Sequence, residues 1–192
     1  MIPTQTRVVK GPLPVRMLRS PFQRNAEMIA DYDVSLGRTD DIPSILALQE
    51  INLAERGGSL SVRQTADWFR HAIIETSLVV GRRERTLVGY VLGTALTANT
   101  HVMIIQTMLR AFPPPRDCYL YGPVCVAETE RGKGLAGVLF AALQERMGGR
   151  PAMTFIRADN SPSLRAHQKM GMRELGHFVQ DNARYIALGH NC

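Results

Sequence analysis

The sequence predicts an α/β fold, a mixed sheet with helices on both faces, in the element order β-α-α-β-β-β-α-β-α-β-β. Three observations lead there. Apolar residues recur at helical spacing in separate stretches, runs rich in Val, Leu and Tyr fill the intervals, and glycine or proline marks most junctions. No internal repeat is visible in the 192 residues, a length that suits one domain with a short appendage.

The elements follow in order. Residues 33–38 read as a short strand. Thr39 or Asp40 then caps a helix with Pro43 in its first turn, where a missing N–H costs nothing, and Ile42, Ile45, Leu46 and Leu53 mark its buried face. Gly57 and Gly58 are expected to end it. Ser61 with Gln64 forms a capping box for a second helix, with Val62, Ala66, Phe69 and Ile73 at helical spacing. Residues 78–81 and 87–96 make a hairpin about the charged turn 82–85. Residues 99–117 interrupt the pattern with an apolar stretch at 102–109 and then Pro113, Pro114 and Pro115. A segment that long tends to be functional, so it is expected to cover a substrate cleft or to form a homodimer contact. Residues 119–126 resume as a strand, on which Tyr119 and Tyr121 share one side, as cleft lining or as core. After the turn 128–134, Leu135, Val138, Leu139, Ala142, Leu143 and Met147 form a helical stripe that Gly148 and Gly149 stop. A strand at 152–156, a short helix at 160–170 and strands at 172–179 and 184–188 close the domain.

Composition narrows the function. Residues 1–30 hold Arg7, Lys10, Arg16, Arg19 and Arg24 against Glu27 alone, which is +4 of the net +6, so the basicity belongs to a leading segment. Pro3, Pro12, Pro14 and Pro21 make that segment an irregular arm, 1–30, ahead of a single domain over 31–192. The prolines work against the amphipathic helix of a transit peptide. Bases and aromatics do not interleave, so no nucleic-acid partner is expected. No apolar run approaches the ~18 residues that span a bilayer, so no membrane is expected either. Cys118, Cys125 and Cys192 have neither metal spacing nor framework spacing, which reads as no metal and as free thiols in a reducing cytoplasm. Cys125 has no His–Asp partner in the sequence and reads as a small buried residue.

The chemistry concentrates where a strand ending near Val126 meets a glycine-containing turn and a helix. The first turn of a helix leaves backbone N–H groups unpaired, and its dipole favours negative charge. Gly132 and Gly134 let a diphosphate approach the main chain, while Arg131 and Lys133 add cations. An ordinary solvated turn would carry the same residue types. A nucleotidase P-loop does not fit, because Gly134 follows Lys133 where Ser or Thr is required.

The spacing says more. Arg131-x-x-Gly134-x-Ala136 resembles the acyl-CoA signature of the GNAT acyltransferase superfamily, [Q/R]-x-x-G-x-[G/A]. Downstream, Asn160, Ser163, His167, Lys169 and Gly171-Met172 resemble the family's second segment, N-x-x-[A/S]-x-x-x-Y-x-K-x-G-F. The resemblance covers residues 33–188. It implies the GNAT fold, a mostly antiparallel central sheet splayed at the CoA site, and an N-acetyltransferase moving an acetyl group from acetyl-CoA to a primary amine by direct attack. It implies that Arg131, Gly132, Lys133, Gly134, Leu135 and Ala136 bind the diphosphate, that main-chain groups near Val124 and Val126 hold the pantetheine arm, and that Asn160, Ser163 and His167 flank the cofactor. His167 stands where the family often has a Tyr that protonates the leaving thiolate, and an imidazole could take that part. Met172 for Phe is a near volume-conserving swap. Glu128, beside the CoA loop, and Glu50, on the first helix, are the candidate general bases, acting through water.

Two other readings compete. Gly132-x-Gly134-x-x-Gly137 matches a dinucleotide-binding fingerprint, with Asp159 about 20 residues on, but only 55 residues follow Gly137, too few for the remaining βαβ units. A non-catalytic acyl-CoA sensor would keep the 131–136 turn and lose the acid and base.

Overall fold

The computed structural model describes residues 31–58, 60, 62–75, 77–99 and 101–192. The arm predicted over 1–30, and Ser61 of the predicted capping box, lie outside them. The elements are β1 (Asp33–Leu36), α1 (Ile42–Ile51), α2 (Ala66–Glu75), β2 (Ser77–Arg83), β3 (Thr86–Ala95), α3 (Met103–Ala111), β4 (Tyr119–Val126), α4 (Leu135–Arg146), β5 (Ala152–Arg157), α5 (Ser161–Lys169), β6 (Arg173–Gln180) and β7 (Ala183–His190). The seven strands form one sheet in the order β1-β2-β3-β4-β5-β7-β6, antiparallel at every junction except β4–β5. None of the described helices is long and apolar enough to cross a membrane.

Strand alternation sorts the core. Val79, Val91, Tyr119 and Tyr121 point to one face and pack with Leu135, Leu139 and Leu143 of α4. Leu78, Val80, Tyr90 and Leu92 point to the other, against Ile42 and Ile45 of α1 and Phe69 of α2. Farther along that second face, Leu120, Met153 and Phe178 meet Ile105 and Met108 of α3. The two tyrosines are therefore core, Tyr119 at 0% and Tyr121 at 1% exposure, and do not line a cleft. Glu84 and Arg85, both at positive φ (48° and 71°), make the two-residue turn between β2 and β3. Two left-handed residues match the twist of the flanking strands, which shortens the turn from the predicted 82–85.

Three expectations need correction. The first helix ends at Ile51, well before Gly57 and Gly58, because Asn52 stops it and donates its side-chain amide back to Leu48 O at 2.8 Å. Gly57, at φ 82°, ends a later 3-10 turn over Ala54–Arg56. The second helix starts at Ala66, where Thr65 Oγ1 accepts from Trp68 N at 3.1 Å. Gln64 is not in it: its backbone N–H and C=O are both taken by the buried amide of Gln49, each at 2.9 Å. Val62 accordingly stands exposed. Finally, the apolar stretch at 102–109 is helix α3 packed onto its own domain, with Ile105 and Met108 buried. Thr107 Oγ1 donates to Gln180 of β6 at 2.7 Å. The side chains read from sequence as an exposed patch are half-buried or buried, apart from Met103.

Candidate active site

The site begins as a gap in the sheet. β4 and β5 pair only at Tyr119–Ala152 and Leu120–Met153, and then part. On its other edge β4 carries a bulge: Gly93 faces Tyr121 and Val91 faces Val124, so Gly122 and Pro123 share the place opposite Leu92. Gly122 takes φ 112°, a conformation that suits glycine. Beyond the bulge, Ala127 N donates to Val88 O at 2.8 Å. Antiparallel alternation then turns the main-chain groups of Val126 and Val124 away from β3 and toward the gap. Both expected pantetheine residues thus present polar backbone to an open strand edge.

At the mouth of the gap, β4 leads through a 3-10 turn, Glu128–Glu130, into Arg131–Gly134 and the start of α4 at Leu135. Gly132 and Gly134 adopt φ 76° and 90°. A Cβ at Gly132 would meet nothing within 4 Å, so conformation rather than crowding favours glycine there. The amides of Arg131 and Lys133 donate to Glu128 O (3.2 Å) and Glu130 O (3.4 Å). Those of Gly132, Gly134, Leu135 and Ala136 have no acceptor among the described residues. Four unpaired donors at a helix N-terminus fit a diphosphate.

What supports this turn was not visible in the sequence. Glu130 is 5% exposed and accepts a hydrogen bond from Tyr32 Oη at 2.7 Å. Arg83, at 3.3 Å, and Lys133, at 3.5 Å, bring positive charge to it. The Tyr32 hydrogen bond, with those two cations beside it, holds the Glu130 carboxyl below the usual range. Burial, and then the Glu130 bond, push the Tyr32 phenol up to about 12. The Arg131 guanidinium donates to Asn52 Oδ1 at the end of α1, so the signature cation braces the turn against the first helix. Asn52 is itself buried.

The second segment opens α5. Asn160 Oδ1 accepts from Ser163 N at 3.2 Å, capping the helix, and Leu164 packs into the cluster that holds Tyr121, Val124 and Val126. His167 is 3% exposed, its ring edge-on to Tyr121 at 5.5 Å. Its Nδ1 lies 2.8 Å from Ser163 O, an acceptor only, so Nδ1 carries the proton and Nε2 is bare. Burial pushes the imidazole pKa below its ordinary value, despite the Ser163 bond. The ring is thus neutral near pH 7 with its one proton engaged, which weighs against proton donation.

Of the two carboxylates, Glu128 stands exposed in the turn after β4. Glu50 is half-buried and ion-paired with Arg56 at 2.8 Å and with Arg63. Neither shares a hydrogen bond with His167 among the described residues. Cys125 is buried among apolar side chains, its thiol is pushed up to about 12 by that burial, and it has no His or Asp partner among the described residues that would activate it as a nucleophile.

Comparison with known proteins agrees with this fold. The acetyltransferase (GNAT) family model matches residues 44–172. No curated protein sequence matches the chain. Among solved structures, the ribosomal-protein-alanine N-acetyltransferase of Brucella melitensis superposes with a TM-score of 0.62 at 22% identity, over 82% of this chain and 98% of that one. For yncA of Salmonella typhimurium, solved with its cofactor acetyl-CoA, the values are 0.63, 15%, 83% and 93%. For Ard1 of Thermoplasma volcanium they are 0.61, 15%, 83% and 97%. At these identities the structures establish a shared fold. The family match spans both motif segments and about two-thirds of the residues, so the chain belongs to the GNAT acetyltransferase family and is an acyltransferase.

Proposed function

We propose that this acyltransferase moves an acetyl group from acetyl-CoA to a primary amine by direct attack in a ternary complex. The observation that carries the proposal is the set of four amides, Gly132, Gly134, Leu135 and Ala136, that have no acceptor among the described residues at the mouth of the β4–β5 gap. The diphosphate would sit on these amides, with Lys133 as the nearby cation, and the outward main-chain groups of Val124 and Val126 would hold the amide groups of the arm. When bound, acetyl-CoA supplies a thioester whose carbonyl an unprotonated amine attacks, forming the amide and expelling a thiolate.

The chain's own residues then have two tasks, to orient and to handle protons. Asn160 and Ser163 fix the start of α5, and the neutral His167 ring packs α5 onto Tyr121 of β4, setting one wall of the gap. We assign His167 to positioning and the proton on the leaving sulfur to water. Glu128 is the carboxylate with open access, and it takes the ammonium proton through water, whereas Glu50 is held by two arginines. Calorimetric titration with CoA tests the diphosphate site. Binding is expected for the wild type, and its loss on Gly134→Val, because a β-branched residue resists φ 90° and its Cβ obstructs the phosphate. Unchanged affinity in that variant would overturn the assignment. A mass-spectrometric screen of amines with acetyl-CoA identifies the acceptor.

A further inference from the structure

Two of the three cysteines meet at the closed end of the gap. Cys118 immediately precedes β4 and is 6% exposed, while Cys192 lies just past β7 and is exposed. After β7 the chain folds back over β5: Asn191 takes φ 55° and donates its side-chain amide to Gly149 O at 3.2 Å. Gly189 leaves room for this return, since a Cβ there would stand 2.9 Å from Cys192 Cβ and 3.0 Å from its sulfur. Cys192 Sγ donates to Ala152 O at 3.4 Å, and Ala152 is the residue paired with Tyr119 in the short β4–β5 ladder. Cys118 is the neighbour of Tyr119 and packs in the cluster of Met153, Phe112 and Leu175, the same side chains that Cys192 lies against, and each thiol perturbs the pKa of the other. Cys125 is remote from this pair, on the α1 side of the core.

We propose that Cys118 and Cys192 form a reversible disulfide on exposure to a low-molecular-weight disulfide, clamping the vertex from which the acyl-donor gap opens. Cys192 is the point of entry. It lines an open apolar groove of about 470 Å³ with Phe112, Pro113, Pro114, Met153 and Leu175. Burial raises both thiols, that of Cys118 to about 12 with Arg150 acting the other way, so access decides the order and the first attack falls to the exposed Cys192. The Cys192 thiolate attacks one sulfur of the reagent, forming a mixed disulfide and expelling one thiolate. The Cys118 thiolate then attacks Cys192 Sγ, forming the protein disulfide and expelling the second. The two protein thiols are oxidised by two electrons, the reagent is reduced to two thiols, and the two protons end on the departing sulfurs.

The test uses the full chain and oxidised glutathione at neutral pH, followed by alkylation and mass spectrometry. Expected are the loss of two hydrogens, a cross-link joining the Cys118 and Cys192 peptides, one alkylated thiol at Cys125, and full reversal by dithiothreitol. Because the cross-link closes a long loop, the oxidised protein is expected to have a higher Tm than the reduced one. Cys192→Ser, at an exposed position, keeps the fold and abolishes both the mass change and the Tm shift. Three alkylated thiols, under conditions in which the urea-unfolded chain oxidises, overturn the proposal. So does a glutathione adduct that persists on Cys192, which means that Cys118 does not resolve it, and so does a lower Tm after oxidation.

Discussion

A buried neutral histidine leaves a signature in stability that separates positioning from proton donation. His167 is 3% exposed and desolvation pushes its pKa below the ordinary value. The unfolded chain, with an imidazole near ~6.5, therefore holds the extra proton in the window between the two pKa values. In that window stability rises with pH, and it falls on acidification by up to about 1.4 kcal/mol per pH unit for one group. His167→Gln keeps a donor within reach of Ser163 O but cannot titrate. At pH 7.5 the variant should be less stable by about 0.5–1.5 kcal/mol, the worth of the ring contact with Tyr121. Between pH 6.5 and 5.5 the gap should close by up to about 1.4 kcal/mol, because only the wild type loses stability through this group. His190 is also depressed by burial and titrates in both proteins, so the difference isolates His167. Glu130 and Asp159 are held below the ordinary carboxylate range, and their contributions are lost only at lower pH. Urea denaturation across pH 5–7.5 reads the difference, with kcat measured on the same samples. A variant within about threefold of wild type in kcat supports positioning, since general acids typically contribute ~10²–10⁴-fold. Parallel stability profiles would refute the buried-neutral assignment. A kcat loss of ~10²-fold or more, with CoA affinity intact, would restore His167 as the donor.

The other predictions are brief. Ile105→Glu places a charge at a 5% exposed site between α3 and the sheet, so circular dichroism should report unfolding or a loss of several kcal/mol, whereas a folded variant with altered oligomeric state would support a homodimer contact at α3. Glu128→Gln should lower kcat/KM about 10-fold or more at neutral pH while leaving CoA affinity unchanged, and a variant as active as the wild type would remove it as the base. A chain starting at Asp31 should keep kcat/KM within about twofold, whereas one starting at Asp33 should raise KM for acetyl-CoA, because Tyr32 hydrogen-bonds Glu130 beneath the turn proposed to hold the diphosphate.

What the sequence made legible and what it hid divide along one physical line. The stripe Leu135–Leu139–Leu143, the hairpin of β2 and β3 and the glycine turn at 132–134 depend on residues within a few positions of one another, and the pattern of side chains carries them directly. The turn proposed to hold the diphosphate is readable because the proposal rests on main-chain N–H groups, and two glycines in the right places are enough to turn them outward. The supports of that turn are non-local: Tyr32 reaches Glu130 across 98 residues and Arg131 reaches Asn52 across 79. No spacing rule announces such pairs. The same division explains the early helix boundaries, where Gln49 takes both backbone groups of Gln64 and so delays α2 until Ala66. It also explains α3, whose apolar side chains read as a patch because the groups that bury them, Phe178 and Met153, lie far along the chain. His167 combines both cases. Its place on α5 follows from local spacing, and so does its bond to Ser163 O one turn back. Its burial against Tyr121 comes from β4, a distant segment, and that burial sets the charge of the ring. A motif position can therefore say where an imidazole stands, while its readiness to give up a proton is decided by the tertiary structure around it.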